Sequence, residues 1–189
     1  SYVDANNQEV TARTSALVHK AAFYIGLSPR QYVGTAGEQQ TIDIVTVDTQ
    51  GKPVAGRELQ LILSRREWYT VREERGIGGF HWVNKSKDTP VMTKTVRTDD
   101  AGRAEATVTP PSGGHYRVRA SAQDDEGRDV STSLFLWVSG QDYVNWGREN
   151  HPRIDLVADA DEYSPGDTAQ VLVPSPFEAP TTALLTIER

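Results

Sequence analysis

The chain has 189 residues, with 20 Lys and Arg against 26 Asp and Glu, a formal net charge of −6, and no cysteine. An acidic chain whose charges are mixed lacks the cationic face that phosphate binding requires, so nucleic acid is excluded as the main partner. The absence of cysteine excludes a disulfide scaffold, a thiol nucleophile and a zinc–thiolate site, and no apolar run approaches the roughly 18 residues of a membrane span.

Strand signals dominate along the chain. Thr41-Ile42-Asp43-Ile44-Val45-Thr46-Val47 alternates polar and apolar residues, as a half-buried strand must. Leu59-Gln60-Leu61-Ile62-Leu63 follows the same rule with one extra apolar residue, His115-Tyr116-Arg117-Val118-Arg119-Ala120 follows it cleanly, and Val130 to Val138 is rich in β-formers. Turn signals separate these runs: Asp48-Thr49-Gln50-Gly51, Asp99-Asp100-Ala101-Gly102, Pro110 to Gly114, and Asp124-Asp125-Glu126-Gly127. No stretch of helical length carries an uninterrupted apolar face. Short strands at regular spacing predict an all-β, immunoglobulin/fibronectin-III-like antiparallel sandwich of about seven strands.

Two internal repeats suggest more than one module. The segment from Asn6 through Val18 aligns with the segment from Glu126 through Val138, at an offset of 120 residues, each reading as a polar turn and then a final strand. Tyr32 with Gly37-Glu38 aligns with Tyr163 and Gly166-Asp167, the tyrosines lying 131 residues apart, each pair preceding a strand. The expected organisation is therefore the closing strands of one module in residues 1–21, a whole sandwich in 22–140, a linker in 141–152 and the opening strands of a third module in 153–189. The partial modules are expected to pack on each other, on the whole module or on a second copy, because a few uncovered strands leave apolar faces and edges exposed. The chain starts at Ser1 without Met and shows no signal peptide, and is expected to be a piece of something longer.

Several segments together are similar to one known family. Phe23-Tyr24-Ile25-Gly26-Leu27, Tyr32 and Gly37-Glu38 resemble the start of a macroglobulin domain of the bacterial alpha-2-macroglobulins. Asp48 to Gly56, Arg65-Arg66-Glu67-Trp68, Gly79-Phe80-His81-Trp82 and Gly114 to Ala120 continue the likeness. Asp161-Glu162-Tyr163-Ser164-Pro165-Gly166-Asp167-Thr168-Ala169 with Ser175-Pro176-Phe177-Glu178 resembles the opening of the domain that carries the bait region. The resemblance implies a macroglobulin sandwich and, for the parent protein, entrapment of endopeptidases after bait cleavage, in many members followed by covalent capture through a Cys–Gln thioester. It implies a non-catalytic scaffold role here, neighbouring macroglobulin domains as direct partners, proteases as partners through the parent, and a periplasmic or cell-surface location. The thioester needs a cysteine that this chain lacks. Two alternatives remain: a stalk module of a tandem Ig-like adhesin, and an accessory module of a secreted carbohydrate-active enzyme.

The residues themselves predict no catalytic, cofactor-binding or metal site. The histidines are His19, His81, His115 and His151, and no Gly-x-Ser-x-Gly elbow accompanies them. His81 and His115 fall in strand-like runs, where a sandwich-face histidine is expected rather than a catalytic base. No His-x-x-x-His or Glu-x-x-His pair exists, and the acidic turns at Asp99-Asp100 and Asp124-Asp125-Glu126 have no EF-hand spacing, which leaves them as Asp-initiated turns. Trp68, Tyr69, Phe80 and Trp82 flank Gly76-Ile77-Gly78-Gly79. This cluster reads as a long hairpin with aromatics paired across the strands, or as a contact between domains, against a sugar-binding platform. The stretch from Arg65 to Pro90 has the weakest strand definition, and a protease-accessible loop is the lesser alternative there. Trp137 is expected in the core or an interface, and Trp146 between modules.

Overall fold

The structure, a computed structural model, describes all residues except 1, 4–8, 12, 76–78, 141–153, 155, 161, 176–181, 185 and 187–189, and within strands it leaves out the side chains of residues 2, 3, 10 and 75. The described residues contain strands and no α-helix. In chain order the strands are β1 (Tyr2–Val3), β2 (Glu9–Val10), β3 (Phe23–Pro29), β4 (Val33–Thr35), β5 (Gln40–Asp48), β6 (Glu58–Arg75), β7 (Gly79–Arg97), β8 (Arg103–Val108), β9 (Gly114–Gln123), β10 (Asp129–Ser139), β11 (Val157–Ala158) and β12 (Val171–Leu172). A five-stranded sheet runs β4-β10-β9-β6-β7, and a three-stranded sheet runs β3-β5-β8. Neighbours are antiparallel except β4, which lies parallel to β10. Two short pairs, β1-β2 and β11-β12, stand as separate two-stranded sheets. The two large sheets thus hold eight strands, one more than expected, because the three-residue β4 is too short to leave a periodic signal.

Alternation puts the core between the sheets. The three-stranded sheet contributes Phe23, Ile25, Ile42, Ile44, Ala106 and Val108, and the five-stranded sheet contributes Leu59, Leu61, Leu63, Tyr116, Val118 and Leu136 among others, all buried. Tyr116 is fully buried and keeps its hydroxyl satisfied by donating to the Ser112 carbonyl at 2.9 Å, as a buried phenol requires.

The three Asp-x-x-Gly segments adopt one and the same turn. The amide of Gly51, Gly102 or Gly127 donates to the carbonyl of the Asp three residues earlier, at 2.9–3.1 Å, and each Gly has a positive φ of 67–81°. Each Asp carboxylate also accepts from the backbone amides two and four residues on: Asp48 from Gln50 and Lys52, Asp99 from Ala101 and Arg103, Asp124 from Glu126 and Arg128. A short acceptor and a left-handed glycine are what this tight connection demands. At Gly102 the demand is doubled, because a Cβ there would meet the Thr46 carbonyl oxygen at 2.7 Å. The Tyr–Gly repeat is equally structural. Glu38 donates to Thr35 and Asp167 to Ser164, each closing a turn around a glycine of positive φ. The first repeat is preserved only in part: Val10 and Val130 both lie in strands, but Leu17 and Val18 do not, unlike Trp137 and Val138 in β10.

Between Arg65 and Pro90 the chain forms the long hairpin expected from its aromatic and glycine pattern, and the lesser alternative of a protease-accessible loop fails. β6 and β7 are continuously paired from Glu58↔Arg97 to Arg75↔Gly79. β9 pairs with β6 only from Gln60 to Arg66. Beyond that point Glu67–Arg75 and Gly79–Lys87 pair, among the described residues, only with each other, as a two-stranded ribbon that outruns the β9 ladder. Water meets both faces of such a ribbon, so no polar–apolar alternation is imposed and the strand signal in the sequence vanishes.

Two outcomes test this account. Leu61→Ala removes a side chain that is 1% exposed at the centre of the core and is expected to destabilise the chain by about 2–5 kcal/mol in urea unfolding. Asp124 is held well below the usual carboxylate range: burial pushes it up, but the amides of Arg128, Ala22 and Glu126 and the Arg128 guanidinium outweigh that. Its contribution is therefore full above the unfolded carboxylate value of 3.8 and is lost as pH falls through the folded value. Asp124→Ala is expected to lower the urea midpoint at pH 7 and to converge with the wild type in strong acid.

Candidate interaction surface

The outer face of the five-stranded sheet carries an unusual row of side chains. Register places Trp137 of β10 opposite His115 of β9, His115 opposite Arg66 of β6, and Arg66 opposite Asp88 of β7. Tyr116 and Leu136, buried in the core, sit next to His115 and Trp137 in sequence, so alternation turns the row away from the core.

The row is tightly knit. The His115 ring lies 4.4 Å from the Trp137 ring, stacked, and 4.9 Å from Phe135, ring centre to ring centre. Arg66 grips both oxygens of Asp88 at 2.7 and 2.8 Å, and its guanidinium stands over Phe135 at 4.7 Å and Trp68 at 5.9 Å. Arg117 adds a third hydrogen bond to Asp88 at 3.3 Å. The Arg66 hydrogen bond, backed by Arg117, keeps Asp88 below its ordinary pKa against the opposing effect of burial. His115 is only 8% exposed although it faces outward, and neither ring nitrogen has a hydrogen-bond partner among the described residues. Burial first, and then the neighbouring Arg66 charge, push its pKa down to about 4, with Asp88 opposing. The imidazole is thus held neutral and packed among Phe135, Trp137 and Arg66.

The same face continues up the ribbon. Trp68, Arg72, Phe80 and Trp82 share it with Arg66, and the Arg72 guanidinium sits 3.5 Å over the Phe80 ring. The expected aromatic pairs across the hairpin do not form. Register sets Trp68 against Ser86, Tyr69 against Lys85, Trp82 against Arg72 and Phe80 against Glu74. One exposed ring is instead covered diagonally by a cation, Arg72 over Phe80. Trp82 stays 67% exposed and Phe80 53%.

The remaining histidines stand apart. His19 is within 2.5 Å of the Tyr24 hydroxyl. His81 lies not on the sandwich but on the ribbon, 3.9 Å from Glu73, whose carboxylate is lowered chiefly by its hydrogen bond to Lys85 at 2.6 Å. His151 and Trp146 fall outside the described residues. Trp137 lies near the end of β10 on the outer face, half-buried. In the acidic turns Asp99 and Asp124 accept from backbone amides and Asp125 from the Arg57 guanidinium, and among the described residues no group of three or more His, Asp or Glu is arranged to hold a metal ion.

Comparison with known proteins places this sandwich. Residues 9–140 match the family described as "Bacterial macroglobulin domain 6". The chain belongs to that family. This macroglobulin domain is 27% identical over 173 residues to an alpha-2-macroglobulin homolog of Nostoc sp., covering 92% of this chain and 9% of that protein. It is 28% identical over 186 residues to an alpha-2-macroglobulin homolog of Deinococcus radiodurans, covering 97% of this chain and 17% of that protein. The chain thus spans less than a fifth of the curated relatives it matches. Its fold is similar to part of the E. coli alpha-2-macroglobulin in its native conformation, with a TM-score of 0.53 at 21% identity, over 90% of this chain and 12% of that one.

The buried imidazole makes a pH test. Above pH 6.5 both folded and unfolded His115 are neutral. As pH falls from 6.5 to about 4 the unfolded chain takes up a proton that the folded ring refuses, so stability declines and then levels off. At about 1.4 kcal/mol per pKa unit this amounts to roughly 3 kcal/mol. His115→Phe, which keeps the stack, is expected to flatten the unfolding free energy across that window in urea titrations at fixed pH.

Proposed function

We propose that this chain is a non-catalytic scaffold module of a bacterial alpha-2-macroglobulin-like protein that entraps endopeptidases once its bait segment is cut. The observation that carries the reading is the match of nearly the whole chain to a small part of alpha-2-macroglobulin homologs. The described residues add support: His115 is buried and unpartnered, and the outer face is built from packed aromatics and matched ions rather than from a cleft with a nucleophile. In this reading residues 22–140 form one whole module, 1–21 close the module before it, 141–152 link, and 153–189 open the module that bears the bait. The outer face contacts neighbouring macroglobulin domains, proteases are met only through the parent, and the parent resides in the periplasm or at the cell surface. No helix among the described residues is long and apolar enough to cross a membrane.

The parent protein mixed with an endopeptidase is expected to spare a large protein substrate while a small chromogenic peptide is still cut, because a caged protease keeps its active site but loses access to bulky partners. The 189-residue chain alone is expected to spare neither. Protection by the chain alone, or none by the parent, overturns the reading.

A further inference from the structure

The ribbon leaves one strand edge open beside an existing ladder. β9 pairs with β6 up to Arg66↔His115, and from Glu67 onward β6 has β7 on one side and no described strand on the other. Every second residue of a strand turns its amide and carbonyl to the same side, so this edge offers a row of unpaired donors and acceptors about 26 Å long. The edge carries Glu67 at its start and Arg72, Glu73 and Glu74 at its end, with an uncharged stretch between them. Trp68-Tyr69-Thr70-Val71 are uncharged β-formers without proline. β7, the far edge of the sheet, is guarded further, by Pro90 and a register shift opposite Leu63 and Ser64 in addition to Lys85 and Lys87.

At the foot of the open edge, where β9 begins, lies a notch of about 330 Å³ lined by Arg65, Arg66, Glu67, Trp68, Tyr69, Lys87 and Gly114. Arg66 is matched by Asp88, which leaves Arg65 and Lys87 against Glu67, a net positive rim. Trp68, whose indole N–H is buried without a partner among the described residues, stands beside the notch.

We propose that the β6 edge from Glu67 to Glu74 is a strand-addition site for an extended polypeptide segment whose leading residue is acidic. The segment lies beyond the start of β9 and runs parallel to β6, so that its backbone pairs with β6, its alternate side chains flank Trp68 and Tyr69, and its leading carboxylate enters the notch between Arg65 and Lys87. Backbone pairing sets the occupant's class and the cationic notch sets its end.

The test uses the 189-residue chain and a fluorescein-labelled peptide, Asp-Thr-Val-Lys-Val-Thr-Val-Lys. Peptide binding is expected to slow amide exchange within Glu67–Glu74 by about tenfold or more. Of two versions N-methylated at alternate residues, the one blocked on the pairing side is expected to lose binding, and replacing the leading Asp by Asn is expected to weaken it several-fold. The proposal is overturned if both methylated peptides bind like the parent peptide, if Asn binds as well as Asp, or if protection falls on Gly79–Lys87 instead. Absence of any protection at about 1 mM peptide overturns it as well, as does protection that grows with protein concentration without peptide, which would make a second copy the occupant.

Discussion

Leu59, Leu61 and Leu63 occupy alternate positions of β6, and each is exposed to no more than 1%. Their burial against the three-stranded sheet sets the register of the whole molecule, because a strand slipped by one residue would exchange every inward side chain for an outward one. With the leucines inside, Arg66 must point outward. The β9 ladder then places it beside His115, and β10 completes the row with Trp137. The outer surface is in this sense a consequence of the core. The same strand, continued past the end of β9, becomes the ribbon, so the one element that holds the sandwich together also projects from it.

The strands are delivered into this register by turns that satisfy themselves. In each Asp-x-x-Gly connection a carboxylate takes up two backbone amides that would otherwise be orphaned at the turn, and a glycine accepts the left-handed conformation that other residues resist. Asp124 goes further. Its second oxygen accepts from the amide of Ala22, 102 residues away in sequence and just before β3. One buried carboxylate thus closes its own turn and pins the entry of the first sandwich strand, which explains why its charge is so strongly favoured in the folded state.

The sandwich strands were legible because burying one face of each strand writes a period of two into the residues: β5, β9 and β10 match their expected runs to within a few positions. The turns were legible because their chemistry is local. The ribbon was legible as a hairpin from its aromatics and glycines but not from alternation, since a strand wet on both sides needs none, and its aromatics looked like pairs only because their spacing does not reveal register. The row through His115 was invisible for a related reason. Alternation in His115-Tyr116-Arg117-Val118 marks which residues face out but not that the outward histidine is roofed by Phe135 and Trp137 from the next strand. That contact depends on which strand neighbours which, and topology is not a local property.

An outward-facing row with this composition has a physical consequence for association. Arg66 and Asp88 are long or charged side chains already fixed by paired hydrogen bonds, with side-chain exposures of 16% and 25%. His115 is already stripped of water by its aromatic neighbours. A neighbouring module that covers this face therefore finds most of the ordering and desolvation done within the sandwich, and both losses normally oppose binding. What the face still offers is the exposed rim of Phe135, which a partner can cover without breaking any ion pair beneath it. The interior of the sandwich and its outer row thus obey one rule at two levels: apolar alternation decides which residues face inward, and cross-strand register decides which outward residues meet and hold one another in place.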